Sequence, residues 1–537
     1  MSTIAVQPGT GALQRRSFRS FLALCLALSG LKLAIQVVGN IVAQHAGYGI
    51  FRDELYYLAC GRHLAFGYVD LPPMAALQAR ISEMLFGFRN MALLRLISAL
   101  AGAAKVFLAG TLVWAMGGSR RAAALAMLGV TVAGVYLGID GFLSMNSFEP
   151  VFWITCALAL LRIVQEYGVA GRERVVRNWW IVLGVSAGLG LENKDNEVFF
   201  LVAVLVALLL TPQRRILASR WFAAAVGIIV ALALPNLLWQ VHYHFPTLEW
   251  LVRVSKSNKD VKLPPLQFLA GQVMMLNPFT APLWISGVIW LLTPKPARRW
   301  LFLGVLYPVF LLLMMALHAK DYYLAPIYVI YFAAGGVCWF SFAQRRIWRN
   351  GIAGAYAALL VFAFTRSVPF SIPVLPPQKF VAYERAIGFS PNDSENHAAT
   401  TLPQFYADRF GWREMVEKTA AIYDSLTPQE RAVAGVYADN YGEASAINIL
   451  GRQYGLPTAI STHQNYWIWG PGTYTGQVMI VISGSSPAKL DKYFGSCQAV
   501  AQLDHPLSMP WEKKPIYVCR GTNAHYAADW KDLKNYY

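Results

Sequence analysis

Long apolar runs recur along the first two thirds of this chain, and they constrain its fold more than any other feature. They occupy residues 20–42, 92–116, 122–139, 148–165, 179–191, 197–211, 221–241, 266–292, 300–317, 322–343 and 351–368. Most approach the roughly 20 residues that a helix needs to cross a bilayer. Only 14% of the 537 residues are charged, against roughly 25% in a soluble domain. This excludes an ordinary water-soluble enzyme and predicts a polytopic α-helical membrane protein with about eleven spans within residues 1–368.

The positive charges follow the apolar runs in a regular way. The formal net charge is +17, and basic residues cluster before the first run and in every second short loop after it. The positive-inside rule then predicts a cytoplasmic N-terminus and a C-terminal part outside the cytoplasmic (inner) membrane, in the periplasm or the extracellular space. Because the charge excess is spread through loops, nucleic-acid binding is excluded and membrane lipids are the expected surroundings.

The composition changes at about residue 368. Residues 369–377 are rich in proline and predict an extended linker. The remainder, to residue 537, has the size of one domain, with helical patterning near 403–424 and strand-like runs at 433–438, 478–483 and 516–519. We therefore predict a C-terminal extracytoplasmic α/β domain over 369–537. Cys497 and Cys519 both lie in it and could pair in an oxidising compartment.

The first outward loop, at about 43–91, carries two adjacent carboxylates, Asp53 and Glu54, beside aromatic residues and a Pro72-Pro73 turn. Adjacent residues on a helix point about 100° apart. One acid could then face a substrate while the other binds a base or a metal. The alternative is a surface pair that caps a loop helix. Acids and bases are mixed on the other outward loops as well, which suggests a polar site near the outer leaflet.

Several motifs resemble those of glycosyltransferase family 39, which includes the protein O-mannosyltransferases and the lipid A aminoarabinose transferases of the membrane GT-C fold. They occur in the family's order between about residues 45 and 335. They read Arg52-Asp-Glu-Leu-Tyr-Tyr-Leu-Ala, Gly67-Tyr-Val-Asp-Leu-Pro-Pro, Phe142-Leu-Ser-Met-Asn-Ser-Phe-Glu-Pro-Val-Phe-Trp, Gly188-Leu-Gly-Leu-Glu-Asn-Lys and Lys320-Asp-Tyr-Tyr-Leu-Ala-Pro.

The resemblance implies an inverting glycosyltransferase that moves a sugar from a polyprenyl-phosphate donor to a protein, lipid or glycan acceptor at the outer membrane face. A carboxylate can act as general base on an acceptor hydroxyl, and Lys or Arg can stabilise the departing phosphate. Asp53 aligns with the family's first-loop acid and is the expected base, while Glu54 orients a basic group or assists acceptor binding. Arg52 and Arg62 could bind phosphate or pair locally.

Five further motif residues are candidates for substrate or phosphate binding. Relatives often carry an aspartate near Asn146, and Glu149 lies one helical turn later, so it either replaces that acid or caps a span. By the motifs, Lys194 and Lys320 match family lysines and either contact phosphate or anchor at the membrane edge. Asp321 is expected to hold a basic residue, and Tyr322 to line the lipid groove. Lys194 and Asp195 interrupt the runs at 179–211, which could form one broken helix.

Two readings remain beside this one. His242 and His244, followed by Glu249, are weak candidates for a divalent metal site, as some relatives hold a metal near this region. The rival function is a multi-span transporter or lipid flippase. Transporters place ionisable residues and broken helices near the bilayer midplane, often in inverted repeats. Here most acids lie in outer loops and no repeat is visible, so the enzyme is favoured.

Overall fold

The computed structural model of the protein describes residues 10–257, 263–293, 298–341, 346–388, 400–522 and 529–537. Helices dominate the chain up to Ser371. They are α1 Thr10–His45, α2 Arg52–Arg62, α3 Pro73–Phe86, α4 Met91–Leu94, α5 Leu96–Ala115, α6 Arg120–Val132, α7 Gly134–Ile139, α8 Met145–Glu166, α9 Glu173–Asn193, α10 Asn196–Leu209, α11 Arg220–His242, α12 Pro246–Lys256, α13 Pro265–Met275, α14 Ala281–Leu292, α15 Leu301–Ala316, α16 Tyr328–Ser341 and α17 Arg346–Ser371.

All eleven apolar runs lie on helices, but fewer helices qualify as membrane spans. Among the described residues, seven segments are long and apolar enough: Phe18–His45, Leu96–Ala115, Met145–Glu166, Arg220–His242, Arg298–Ala316, Asp321–Ser341 and Asn350–Ser371. Two bent helix pairs raise the number to nine if each is one span: Asn196–Leu209 with Pro212–Ala218, bent by 112°, and Pro265–Met275 with Pro278–Leu292, bent by 86°.

The other two runs explain why the number is lower than the eleven predicted. In the run at 122–139, α6 ends after 13 residues at Val132. The next residue, Ala133, has an extended backbone, and the short α7 follows. In the run at 179–191, α9 is 21 residues long but begins with a charged turn that contains Glu173 and Arg174. It is followed by a separate helix, α10, which begins at Asn196.

The helices pack closely where small residues face each other. A Cβ on Gly287 of α14 would collide with the carbonyl of Tyr331 on α16, and a Cβ on Gly335 of α16 would collide with the carbonyl of Leu283. Helices in a membrane approach most closely through such small residues. The two glycines thus let the backbones of α14 and α16 touch in the core of the bundle.

Inside the bundle, two lysines share one aspartate. Asp140, between α7 and α8, accepts hydrogen bonds or ion pairs from Lys105 at 2.8 Å and from Lys32 at 3.1 Å, and all three side chains are fully buried. Lys32 also donates to the carbonyl of Tyr136 at 3.1 Å. Buried charges are expensive in a bilayer unless they are paired in this way. The group fixes the segment that leads into α8.

The chain after α17 forms a small α/β unit, as predicted. Its helices are α18 Pro377–Ile387, α19 Gln404–Ala407, α20 Trp412–Ser425, α21 Pro428–Val433, α22 Tyr441–Leu450, α23 Asn465–Trp469 and α24 Pro487–Leu490, and its strands are β1 Ala434–Ala438, β2 Ala459–Ile460, β3 Val478–Ile482, β4 Phe494–Gln502 and β5 Pro515–Thr522. The sheet order is β2-β1-β3-β5-β4, with β1 parallel to β2 and β3, and with β5 antiparallel to both of its neighbours.

The boundary between the two parts differs from the linker predicted over 369–377. Helix α17 continues to Ser371 with Pro369 inside its last turn, so only residues 372–376 lie between it and α18. A proline costs little so near a helix end, and the hydroxyl of Tyr406 donates to the Pro369 carbonyl that would otherwise lack a partner. Within the sheet, Cys497 of β4 and Cys519 of β5 lie opposite each other and form a disulfide.

Candidate active site

Helix α2 is fixed at its first turn by the side chain of Glu54. One oxygen of this carboxylate accepts the backbone N–H of Phe51 at 2.9 Å, and the other accepts that of Leu143 at 2.7 Å. Arg95, where α4 meets α5, donates one bond to each oxygen at 2.8 Å. Burial by itself would raise the pKa of the Glu54 carboxyl, but Arg95 holds that pKa below its ordinary value. Glu54 therefore ties α2 to α5 and to the segment before α8.

Asp53 points away from this buried network toward the C-terminal part. Its side chain is 29% exposed, and Oδ1 accepts a hydrogen bond from the hydroxyl of Tyr441, the first residue of α22, at 3.0 Å. Arg52 lies 3.5 Å from the same carboxylate and 3.8 Å from Asp408. Asp53, unlike Glu54, is thus partly exposed, at the junction between the helical bundle and the C-terminal part.

Tyr57 lies one turn after Asp53 on α2 and connects it with two other motifs. It is buried, and its pKa is raised well above the ordinary value by that burial and by the negative charges of Asp53 and Asp70, with Tyr322 also contributing. Its hydroxyl therefore stays protonated. Asp70 itself accepts a hydrogen bond from Tyr56 at 2.8 Å. Asp53, Asp70 and Tyr322 thus all lie near enough to Tyr57 to influence its pKa.

Lys194 forms the cationic side of the site. Its ammonium donates to Asn146 at 2.8 Å and to Glu149 at 3.0 Å, and it lies 4.7 Å from the ring centre of Tyr323 and 5.5 Å from that of Tyr322. The turn between α9 and α10 carries this lysine toward the first turn of α8, where both acceptors lie.

The remaining contacts of Glu149 and the Lys320 motif complete the cluster. Asn196 donates to the second oxygen of Glu149 at 2.8 Å. Lys320 precedes a 3-10 helix over Asp321–Ile327, and Asp321 accepts the backbone N–H of Tyr322 at 2.8 Å. Lys194, Glu149 and Tyr322 therefore share one site, as three separate motifs suggested.

Arg62 lies at the other end of α2 from Asp53. It donates to Glu83 of α3 at 2.9 Å and to the carbonyl of Asn448 in α22 at 3.0 Å. Nine residues of helix separate Arg62 from Asp53, or about 13 Å along the axis. Of the two alternatives for Arg62, phosphate binding or pairing with a nearby residue, its contacts match the second. They join α2 to α3 and α22.

The histidines after α11 are not drawn together with a third ligand. His242 and His244 are exposed. The carboxylate of Glu249 instead forms ion pairs with the side-chain nitrogens of Arg253, at 2.8 Å, and Lys534, at 2.7 Å. Across the part of the chain that the structure describes, no group of three His, Cys, Asp or Glu side chains has the arrangement of a metal site. The contacts of these residues thus lend no support to the divalent metal considered there.

Sequence reasoning missed several residues of the site. Arg95 stands near the start of an apolar run, and a charge there is a signal that could have been used. Tyr441 and Asp408 have no such signal, because they come from the C-terminal part, more than 350 residues after Asp53. Burial raises the pKa of Asp408 to about 7, against the opposite influence of Arg52 and aided by the charge of Asp53.

Comparison with known proteins agrees with this architecture. Residues 70–239 match the family model described as dolichyl-phosphate-mannose-protein mannosyltransferase. The chain is 29% identical over 243 residues to the lipid A galacturonosyltransferase RgtD of Rhizobium johnstonii, and the matched stretch covers 44% of this chain and 48% of that protein. The chain thus matches about half the length of this curated relative.

Solved structures are similar over a larger part of the chain. The crystal structure of ArnT from Cupriavidus metallidurans bound to undecaprenyl phosphate is matched over 91% of this chain and 97% of that one, with a TM-score of 0.58 and 15% identity. The apo structure of the same protein gives a TM-score of 0.57 over the same shares. The resemblance to the GT-C glycosyltransferases is therefore confirmed, and the fold is the membrane GT-C fold with a C-terminal sheet domain.

Proposed function

We propose that this protein is an inverting glycosyltransferase that moves a sugar from a polyprenyl-phosphate donor to a saccharide acceptor carried by a lipid. The observation that carries the proposal is that Tyr322 links two charged groups of opposite sign: it lies near Tyr57, which also feels the charge of the half-buried Asp53, and its ring centre is 5.5 Å from the ammonium of Lys194. The named activity of RgtD supports the acceptor class, and the undecaprenyl phosphate held by ArnT supports the donor class.

The contacts of two other carboxylates favour Asp53 for the acid-base role. Glu54 is saturated by Arg95 and two backbone N–H groups, and Glu149 by Lys194 and Asn196. In the transfer, the proton of the acceptor hydroxyl passes to Asp53 while the acceptor oxygen bonds to the anomeric carbon. The bond from that carbon to the phosphate oxygen breaks, and its electron pair leaves with the lipid phosphate. Attack opposite the leaving group inverts the anomeric centre.

Lys194 is placed to meet the charge of the leaving phosphate. An ammonium has three hydrogens, and within the described part of the chain Asn146 and Glu149 accept two of them. The third is left for a phosphate oxygen. The lysine side chain is only 10% exposed, and a cation in a site with little water stabilises such a charge more strongly than it would in solution.

The proposal includes an orientation in the inner membrane. The basic loops support an N-terminus in the cytoplasm and a C-terminal part in the periplasm. The Cys497–Cys519 disulfide supports the outward position, because disulfides persist in oxidising compartments. A polyprenyl-phosphate donor would then reach Asp53 at the outer leaflet.

Transfer by the purified full-length protein in lipid nanodiscs tests the proposal. We would supply labelled polyprenyl-phosphate sugars with lipid A as acceptor and compare wild type with Asp53→Asn. We expect transfer by wild type and a loss of about 10²–10⁴-fold in the variant, the usual contribution of a general base. Asp504→Asn, whose side chain is 74% exposed, is the matched control and should transfer at the wild-type rate.

The assay also decides against the rival function. The two bent helix pairs, at 112° and 86°, are the features that suit a transporter. Donor-independent lipid or solute movement across proteoliposomes, with no sugar transferred to any acceptor, would replace the enzyme with that function. Undiminished transfer by Asp53→Asn would instead remove this residue as the base.

A further inference from the structure

The C-terminal part contains a cavity of about 310 Å³ that the proposed chemistry does not use. It opens at the carboxyl ends of the parallel strands. Asp439 follows β1 directly, and Ser483 and Ser485 follow β3, and all three line the cavity. Its volume lies at the lower end of the roughly 300–1,000 Å³ typical of small-molecule sites.

The topology of the sheet makes this edge a favoured place for a ligand. After β1 the chain passes through α22 to β2 on one side, whereas after β3 it passes to β4 and β5 on the other side. The loops after β1 and β3 therefore diverge and leave a crevice between the two strand ends. Ligands of open α/β sheets bind in such a crevice, at the point where the strand order reverses.

The loops around the cavity are held in place before any ligand binds. The second carboxylate oxygen of Asp439 accepts the backbone N–H of Gly484 at 2.8 Å, which ties the loop after β1 to the loop after β3. Lys514 lies 3.5 Å from the same oxygen and provides Asp439 with a counter-charge. The mouth of the cavity is thus pre-formed.

The lining combines an apolar floor with polar groups around the mouth. Val481, Leu490 and Phe494 are buried beneath it. Lys489, Lys492 and Tyr493 are exposed and line the cavity as well, and so does the half-buried Asp529. A pyranose has apolar C–H faces and a rim of hydroxyls, which such a floor and such serine and carboxylate groups match. The two lysines add charge for a phosphate substituent.

Contacts with the helical bundle flank the cavity on two sides. Two residues after Asp439, the hydroxyl of Tyr441 donates to Asp53. Asp529 and Leu533 also line the cavity, and the next residue, Lys534, contacts Glu249 of α12 at 2.7 Å. Two segments that line the cavity thus continue directly into contacts with the bundle, and one of these contacts is with the proposed base.

We propose that this cavity is the acceptor subsite, and that it binds the phosphorylated saccharide headgroup of the lipid acceptor. The proposal rests on the proposed transferase function. The apolar floor and the serines take the sugar, Lys489 and Lys492 take its phosphate, and the Asp439–Tyr441 segment places the bound headgroup beside Asp53.

The test uses the full-length protein and a soluble probe, the glucosamine disaccharide bisphosphate without acyl chains, measured by ligand-observed NMR and calorimetry. The variants are the double change Lys489→Glu/Lys492→Glu and the cavity-filling change Ser485→Trp. Lys513→Glu, an exposed lysine outside the cavity, is the matched control. All changes lie at exposed or half-exposed positions, and thermal unfolding would verify that each variant folds.

We expect wild type and Lys513→Glu to bind the probe equally, and both cavity variants to bind it at least about tenfold more weakly, a difference of about 1.4 kcal/mol. The acceptor KM should rise by a similar factor, while kcat and the donor KM stay within about twofold because the donor contacts are untouched. The phosphate-free disaccharide should bind wild type and the double lysine variant alike.

The outcomes separate the subsite from the proposed function. If wild type does not bind the probe, or if the cavity variants bind it as wild type does, the subsite is overturned even when sugar transfer occurs. If no acceptor is glycosylated but probe binding is lost in both cavity variants, the transferase function fails and the saccharide site stands. If the double lysine variant binds the bisphosphate as tightly as wild type, the phosphate role of the lysines is overturned.

Discussion

Glu54 and Arg95 form a fully buried, bidentate ion pair, with both nitrogen–oxygen distances at 2.8 Å. The neighbouring acid, Asp53, has no part in it and faces the C-terminal part instead. Of the two adjacent carboxylates of the loop at 43–91, Glu54 therefore stabilises the fold, and Asp53 is left for the proposed chemistry. This division follows from their roughly 100° separation around α2.

Glu54→Gln is expected to destabilise the protein strongly. Removing one charge of a buried pair leaves the other uncompensated and costs about 3–5 kcal/mol of the free energy of unfolding. Thermal unfolding in detergent would measure the change. Glu417→Gln breaks an exposed pair with Arg413 and should cost at most about 1 kcal/mol. A Glu54→Gln variant as stable as this control would contradict the structural role of the pair.

Lys194→Met should slow transfer without abolishing donor binding. If the ammonium stabilises the leaving phosphate, its loss lowers kcat by about 10²–10³-fold, the effect of removing one donor to a developing oxyanion. Lys379→Met, an exposed lysine of α18, is the control. Steady-state kinetics with varied donor would measure both.

A second variant separates the catalytic effect of Lys194 from a structural one. Lys194→Met leaves Glu149 without its cation, whereas Lys194→Met/Glu149→Gln removes both charges together. The double variant should regain stability but not kcat. If it regains the wild-type kcat, Lys194 only compensates Glu149 and has no part in the transfer.

The buried carboxyl of Asp408 should make stability depend on pH between about 4 and 7. Its pKa in the folded protein is about 7, against 3.8 ordinarily, chiefly because of burial. In this window the folded state binds the proton more tightly than the unfolded state, so this group's contribution to stability falls as pH rises, by at most about 1.4 kcal/mol per pH unit.

Unfolding curves of wild type and Asp408→Asn at pH 5, 6, 7 and 8 would check this. The difference in stability between the two should change with pH below 7 and level off above it. Asp504→Asn, at a mostly exposed site, should run parallel to wild type over the whole range. A constant difference between Asp408→Asn and wild type would contradict the raised pKa.

Removal of the disulfide should loosen the outer half of the sheet. Cys497 and Cys519 are 22 residues apart in sequence, and closing a loop of this length stabilises a fold by about 3 kcal/mol. Cys497→Ser/Cys519→Ser should therefore be cleaved faster by protease in β4, an edge strand with mostly exposed residues. Unchanged cleavage relative to the oxidised wild type would contradict this.

The sequence predicted the helices well because apolar runs of spanning length have few alternatives. It was less informative about which runs cross the membrane, since the break at Ala133 and the charged start of α9 are local features within apolar surroundings. In the C-terminal part, three strands were predicted from their apolar runs, whereas β4 was missed because its side chains are mostly exposed and show no apolar pattern.

Some residues of the candidate site could be selected from motifs. Lys194 and Tyr322 come from two separate motifs, and the structure brings them within 5.5 Å of each other. The contact between Asp53 and Tyr441 was not predictable, because it joins residues 388 positions apart whose only common feature is the fold that brings them together. The contact between Arg62 and Asn448 was not predictable either, because it joins residues 386 positions apart.

The hydrogen bond between Tyr441 and Asp53 also describes how an acceptor would enter. An acceptor hydroxyl can give its proton to Asp53 only after donating a hydrogen bond to that carboxylate, and the phenol of Tyr441 already makes such a bond at 3.0 Å. In the proposed reaction, Tyr441 would thus occupy the position that the acceptor hydroxyl takes up. Acceptor entry exchanges one O–H···O bond for another, so the carboxylate need not be exposed to bulk water between turnovers, and the exchange itself costs little net free energy.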